Sequence, residues 1–497
     1  MAILIGIDLG TTVLKACAFD QKTGKAVAQA SCRLEPDVDN AGKRELDTTQ
    51  VIRALKRTFA EIRAELGQRW RGVAGLGLAA QGGSCILADR STGKVRTPMI
   101  LWNDMRFLPH CREVEARVTT DFWQQLSWRD EPGAGLARIL WLRATRPALL
   151  KGNVIYAGAG DWLYFMLTGQ WRQDAGNALQ VGCYNVAKGD LDPAPMALIG
   201  ADLSLVSPMR KDHETHTLTA AGAKLLGLSP GIPVAGPYMD HEAGYLAGVG
   251  AAPEGARPLQ FSLGTAWVGN FVLPETANWT SPFQLVLPSP AGSGYMVCQP
   301  LLTGNVTWDW AWKSLLDPGI KFSAIDRIFS DSLFPSDGLC ALPWLNRPNP
   351  LTPDTLGGGS FFGVSATTTR EDLMRAMALA MVCETRRVFE EVIAAGQVSV
   401  AVLSGGASKG RHFQQLLSTA MHPLPIRMMG DEDTAGPRGA LYGLHKPIIR
   451  TRSTALPRAG AKIQATFDRR YDQYLKLYDR LYAHLPVGGA VHFTRKP

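Results

Sequence analysis

The stretch Leu4-Ile5-Gly6-Ile7-Asp8-Leu9-Gly10-Thr11-Thr12, residues 4–12, decides how the chain is read. Its first part is apolar and β-prone, Gly10-Thr11-Thr12 is a tight polar turn, and Leu14-Lys15-Ala16-Cys17-Ala18-Phe19 resumes the apolar pattern. The segment therefore predicts a strand, a turn and a second strand. The pattern returns near residue 258. Leu259-Gln260-Phe261-Ser262-Leu263-Gly264-Thr265-Ala266 is again an apolar run closed by Leu-Gly-Thr, and a second strand is predicted from Trp267 to Leu273. Two copies about half a chain apart predict two related domains facing each other, although so short a match also arises by chance. The break falls in Gly248-Val249-Gly250-Ala251-Ala252-Pro253, which gives domains of residues 1–249 and 250–497.

Between and beyond the copies, helical and strand periods alternate. Val51, Leu55, Phe59, Ile62 and Leu66 are at helical spacing between Asp47 and Gly67, and Gly72 to Ala80 returns to strand. In the second half, Thr369-Arg370-Glu371-Asp372 is a capping box for a helix whose Met374, Met377 and Met381 form a core stripe. A strand (398–403), a small-residue turn (Ser404-Gly405-Gly406-Ala407), a helix (409–421) and a strand (425–429) follow. Residues 336–360, rich in Pro and Gly, read as a surface loop, and residues 463–485 as an amphipathic helix docked through its tyrosines. Such alternation predicts layered α/β domains.

Composition narrows the function classes. A chain of 497 residues exceeds one ordinary core, and 46% apolar with 19% charged residues is a soluble globular profile. The apolar start lacks a basic leader and carries Asp8, so it reads as a buried strand and not a signal peptide. No run approaches the roughly 18 apolar residues of a membrane span. The net charge of +8 is scattered, without the basic stripe and interleaved aromatics of a nucleic-acid face, and an excess of positive charge suits anionic phosphates. The eight cysteines have no C-x-x-C or zinc spacing, and read as reduced thiols of a cytoplasmic protein. A homodimer is compatible with all of this.

The turns carry the chemistry. In Asp8-Leu9-Gly10-Thr11-Thr12, glycine lets the backbone approach closely, while N–H groups and threonine hydroxyls can donate to phosphate oxygens. Asp8 could hold Mg²⁺ through water, and Lys15 could add a point charge. An ordinary hairpin with polar turn residues is the alternative. Gly405-Gly406-Ala407 would let a flat ring or a phosphate lie against the backbone, or would simply open a helix. There is no G-x-x-x-x-G-K-[ST], and Gly75-x-Gly77-x-x-Ala80 lies within a strand, not after one, so neither a P-loop nor a dinucleotide fingerprint is present.

Taken in order over nearly the whole chain, these elements resemble the FGGY carbohydrate kinases, which share the duplicated ATPase fold of actin and hexokinase. Gly6 to Thr12 with Lys15 looks like the family's first phosphate element, Ser262-Leu263-Gly264-Thr265 its second, and Gly405-Gly406-Ala407 its adenosine-side turn. Trp102-Asn103-Asp104-Met105-Arg106 is close to the W-N-D-x-R of xylulokinases, and Asp240-His241-Glu242-Ala243 sits where the family has its catalytic segment, with Gly236 one place too early. The resemblance implies an ATP-dependent, Mg²⁺-using sugar kinase with Asp240 as general base rather than its neighbour His241. Gln81, Trp102, Asn103, Asp104, Arg106 and Asp240 would bind the sugar. Gly10, Thr11, Thr12, Lys15, Gly264, Thr265, Gly405, Gly406 and Ala407 would bind ATP, and Asp8 the metal. Trp102 as core packing, and Asp104 with Arg106 as a structural ion pair, remain open readings.

Several departures bear on the substrate. Gly176 replaces the serine of a D-x-S-x-A segment at 174–178, Phe413-Gln414 replaces Trp-Asn, and Pro437 and Arg438 interrupt an A-x-G-A-A helix. Where xylulokinases carry Q-M-H-G, this chain has Gln81-Gly82-Gly83-Ser84, so a wider pocket is expected at Gly83. D-xylulose is the expected sugar, with ribulose, fuculose, a tetritol or glycerol open. A silent sugar sensor would have lost the base or a phosphate turn, and an actin- or chaperone-like switch has no use for W-N-D-x-R.

Overall fold

The computed structural model describes residues 2–264, 267–274, 284–301, 303–316, 319–321, 325–345, 359–405 and 410–482. In the first half, β1 (Ile3–Leu9), β2 (Val13–Asp20) and β3 (Ala26–Arg33) form an antiparallel meander, as the apolar runs and the Gly10 turn dictate. Helix α1 (Thr48–Leu66) begins where the Asp47 carboxylate accepts from the Thr49 N–H at 2.9 Å and ends at Gly67, whose φ is 55°. It buries Val51, Leu55, Phe59, Ile62 and Leu66 against the meander. Then β4 (Val73–Ala80) joins β1 in parallel and β5 (Pro233–Met239) joins β4 in parallel. The order is β3-β2-β1-β4-β5, with Thr215–Thr217 beyond β5.

The second half repeats this order. β6 (Pro258–Leu263), β7 (Trp267–Leu273) and β8 (Tyr295–Pro300) are antiparallel, and β9 (Val400–Ser404) and β10 (Ile426–Met429) extend the sheet in parallel beside β6. The order β8-β7-β6-β9-β10 is the same meander plus two parallel strands, with Leu285–Pro288 beyond β8 and Ser453–Ala455 beyond β10. This is the duplicated actin- and hexokinase-like arrangement expected from the two Leu-Gly-Thr segments. A long helix (Arg370–Ala394), capped by the Thr369 hydroxyl on the Asp372 N–H, buries the expected methionine stripe in the second core. The tail helix (Ala461–Tyr482) docks on it, with the Tyr471 and Tyr474 hydroxyls donating to Glu390 and Glu384 at 2.9 and 3.0 Å.

One expectation is corrected. The 336–360 segment is not simply a surface loop: Cys340–Leu342 pairs with Ser360–Phe362, and Leu339, Ala341, Leu342 and Trp344 are buried. That short apolar run outweighs the Pro and Gly around it; residues 346–358 lie outside the described set. Gly248 to Ala251 is also helix, the end of the Asp240–Ala251 helix that follows β5.

The two halves meet through backbone. A short helix (Ala435–Gly439) lies across β1 and the Asp240–Ala251 helix. A Cβ on Gly6 would stand 2.8 Å from Pro437 Cα, one on Gly77 2.9 Å from Leu441 N, and one on Gly439 2.8 Å from Ala243 Cα. Real Cβ atoms do not approach so closely, so these glycines set the spacing. Gly6→Ala is expected to destabilise the protein by about 2–4 kcal/mol in urea unfolding, while Gly460→Ala, with open space around it, changes stability by less than about 0.5 kcal/mol.

Candidate active site

Three parallel strands end level. Leu9 of β1 and Met239 of β5 are both register partners of Ala80 in β4. The residues that follow, Gly10, Gln81 and Asp240, therefore emerge side by side at the carboxyl edge of the sheet, where open α/β sheets bind their ligands. Asp240 opens its helix, and its Oδ1 accepts the His241 N–H at 2.9 Å. Asp8, one residue before the end of β1, has a buried Oδ1 with no hydrogen-bond partner among the described residues. Burial first, and the nearby Asp240 second, push the Asp8 carboxyl up to about 7, against the pull of Lys15. The backbone of Gly436 closes over it, since a Cβ there would stand 2.7 Å from Asp8 Cγ.

The first turn connects to the Trp102 segment. Trp102 Nε1 donates to the Thr11 hydroxyl at 3.1 Å, which donates to Gln81 Oε1 at 2.9 Å; the Ser84 hydroxyl donates to the same oxygen at 3.0 Å and accepts the Trp102 N–H at 2.9 Å. Trp102 is half-buried and bridges two turns, so it is not simple core packing. Asn103 carries a buried Oδ1 without a partner among the described residues. Asp104 is fully buried and takes the Arg44 N–H at 2.8 Å and Arg106 Nη2 at 2.8 Å; Arg106 also reaches Glu45 at 2.6 Å and lies over the Trp141 ring. This is the ion-pair arrangement that the sequence left open, and it braces the Trp102–Asn103 turn from behind.

The ATP-side residues are less closely gathered. Lys15, the cross-strand partner of Asp8, has its Nζ 3.8 Å from Asp433 of the second half. Gly405, at φ 101°, packs on the backbone of Leu263, so the second and third turns adjoin at Gly264. Thr265, Gly406 and Ala407 lie outside the described residues, and Thr12 is exposed at the tip of the first turn. Phe413 does not reach a ligand site: it is buried against Trp267 and Trp308.

Four residues around the site gave no readable sequence signal. Buried Arg138 donates to the carbonyls of Gly83, Leu101 and Trp102, fixing both turns at once. Arg210 pairs with Glu242 at 2.6 Å and donates to the Pro237 carbonyl at 2.9 Å beneath the Asp240 helix. Gln180 occupies the place where a wider pocket was expected at Gly83: a Cβ on Gly83 would stand 2.9 Å from its Cδ. Isolated Arg, Glu or Gln residues far apart in sequence announce nothing until the fold brings them together.

Among the described residues no group of three or more His, Cys, Asp or Glu could hold a metal ion. The unpartnered Asp8 Oδ1 does fit a Mg²⁺ held by one or two carboxylates plus substrate phosphates, the usual manner for this ion. No helix among the described residues is long and apolar enough to cross a membrane.

Residues 3–247 match the N-terminal domain of the FGGY family of carbohydrate kinases. A xylulose kinase of Staphylococcus epidermidis is 23% identical over 492 residues, covering 97% of this chain and 96% of the relative. A glycerol kinase of Aquifex aeolicus is also 23% identical, over 84% of each chain. The crystal structure of xylulose kinase from Rhodospirillum rubrum superposes with a TM-score of 0.81 at 22% identity, covering 97% of this chain and 99% of that one. Residues 3–247 therefore belong to the FGGY family of carbohydrate kinases.

Behind the site, burial pushes the Asp161 carboxyl up to about 7, although it accepts the Gly158 N–H at 2.9 Å. A raised carboxyl binds a proton in the folded state that the unfolded chain, near 3.9, has released. Stability from this group is therefore lost as pH rises from about 4 through about 7. Asp161→Asn is expected to gain in melting temperature relative to the wild type as pH is raised from about 4 to about 8, read by thermal melts in matched buffers.

Proposed function

We propose that the protein transfers the γ-phosphoryl group of ATP to a hydroxyl of a small sugar, with a ketopentose, D-xylulose, as the first acceptor to test. The observation that carries this reading is the convergence of Asp8, the Gly10-Thr11-Thr12 turn, Gln81 and Asp240 on one sheet edge. Phosphoryl transfer needs little covalent chemistry from a protein; it needs positioning and charge stabilisation. Asp240 would accept the acceptor's hydroxyl proton while the oxygen bonds to the γ-phosphorus and the bond to ADP breaks. Trp102 and Asn103 offer a flat face and an amide to the sugar, with Gln81 holding them through Thr11.

Gly10, Thr11, Thr12 and Lys15 on one side, with Gly264, Thr265, Gly405, Gly406 and Ala407 on the other, are assigned to ATP. Residues 1–249 then form the sugar-side domain and 250–497 the adenosine-side domain. Asp8 would hold Mg²⁺, which when bound neutralises charge developing on the phosphates. All eight cysteines are free, in keeping with a cytoplasmic enzyme. The relatives include both xylulose and glycerol kinases at the same 23% identity, which favours glycerol as a second acceptor to test.

The test is ADP release across D-xylulose, D-ribulose, L-fuculose, erythritol and glycerol. At least one is expected to stimulate it, and Asp240→Asn is expected to lower kcat about 10²–10⁴-fold with that acceptor. Stimulation by none of them rejects the kinase reading; near-wild-type kcat in Asp240→Asn rejects the base assignment.

A further inference from the structure

Three glycines face the same small space beside Asp240, and two side chains fill it. A Cβ on Gly176 would stand 2.5 Å from Met239 Sδ, and one on Gly82 would stand 3.0 Å from the same sulfur. A Cβ on Gly83 would stand 2.9 Å from Gln180 Cδ and 3.4 Å from Trp102 Cβ. Gln180 comes from the helix Ala175–Val181 and crosses to the Gly82–Gly83 turn, where its Nε2 is 3.6 Å from Met239 Sδ. Met239 is buried and immediately precedes Asp240. The Gln180 carboxamide is thus wedged between the Trp102 turn and the start of the Asp240 helix.

The polar balance of this wedge is incomplete. Its Nε2 has only a weak thioether acceptor, and its Oε1 carries no hydrogen bond among the described residues. The side chain is half-buried, as are Trp102, Asn103 and Asp240, whereas Gln81, Ser84, Met239 and Arg138 behind them are buried. Arg138 anchors the carbonyls of Gly83 and Trp102, so the floor under Gln180 is fixed. A half-buried amide with a free acceptor, on a rigid floor beside the reacting carboxylate, suits the hydroxyl of a bound polyol.

We infer that Gln180 is a specificity-determining residue of the acceptor site, its carboxamide occupying the space above Gly83 and accepting a hydrogen bond from one hydroxyl of the substrate. This rests on the sugar-kinase reading above and deepens it. An acceptor that presents a hydroxyl to Oε1 is favoured over one that leaves it unpaired, because a site built to hydrogen-bond a hydroxyl discriminates strongly against analogues lacking it.

The experiment compares kcat/KM for D-xylulose, D-ribulose and glycerol in the full-length wild type, Gln180→Ala and the similarly sized Gln180→Met, with KM for ATP read in parallel. In Gln180→Ala the ratio between the best and the worst acceptor is expected to change by about ten- to a hundredfold, mainly through the acceptor KM, with KM for ATP moving far less. If Gln180→Ala does not fold, the same shift of the ratio is required of Gln180→Met, which keeps the volume and removes the amide oxygen. Ratios unchanged within about twofold, or an equal loss for every acceptor, overturn the inference and leave the kinase reading standing. A wild type that phosphorylates none of the three, but does phosphorylate L-fuculose or erythritol, moves the comparison to those acceptors with the same expected and overturning ratios. A wild type inactive with all five overturns the kinase reading, and this inference with it.

Discussion

The structure depends on one steric constraint: the short helix Ala435–Gly439 must touch the first sheet backbone to backbone. Gly6 and Gly77 leave no side chain in that contact, Gly439 leaves none against Ala243 of the Asp240–Ala251 helix, and Gly436 leaves none over Asp8. Interiors pack at crystal-like density, so a single methyl group in such a contact moves whole elements. Because the helix belongs to the second half of the chain and the strands to the first, this contact sets how the halves face each other. Buried Arg438 adds a polar anchor, donating to the carbonyls of Gly24 and Ile448 and to Asp431 at 3.0 Å. The Pro437-Arg438 pair, odd when set beside the A-x-G-A-A pattern, sits at this junction.

Charge is arranged around that contact in two layers. The outer layer is Asp8 and Asp240, with Asp240 close enough to help raise the Asp8 carboxyl. Beneath it, Arg210 neutralises Glu242, and burial with the nearby Glu242 raises the Asp174 carboxyl. Arg106 does the same for Asp104 and Glu45 under the Trp102 turn. Buried pairs of this kind add little net stability, but breaking one leaves an uncompensated charge. They hold the turns in place, and leave the outer carboxylates as the groups with unmet charge.

Much of the site was readable because its parts are local. A strand that ends in Asp-Leu-Gly-Thr-Thr fixes its own turn, and the β1 and β6 hairpins form as their sequences dictate. Asp240 was expected from the resemblance of its segment to the family's catalytic one, and it follows directly on β5. What could not be read was whatever depends on partners distant in sequence. The pairing of Asp104 with Glu45 through Arg106 was only one of two readings, and the replacement of Trp-Asn by Phe413-Gln414 gave no sign that Phe413 packs in the core. The gap expected at Gly83 was inferred from one strand alone, and its filling by Gln180 comes from a helix about a hundred residues later.

The sequence by itself determined the α/β class, the duplicated strand-turn-strand and the residues at the ends of the central strands. Those features follow from hydrophobic period and turn chemistry, which act over a few residues. The tertiary structure alone decided which side chains gather beside Asp240, which charges cancel and how the halves are spaced. These are matters of volume and distance between segments far apart in the chain, and a missing Cβ at Gly6, Gly83 or Gly176 acquires meaning only when the atom that would occupy its space is known.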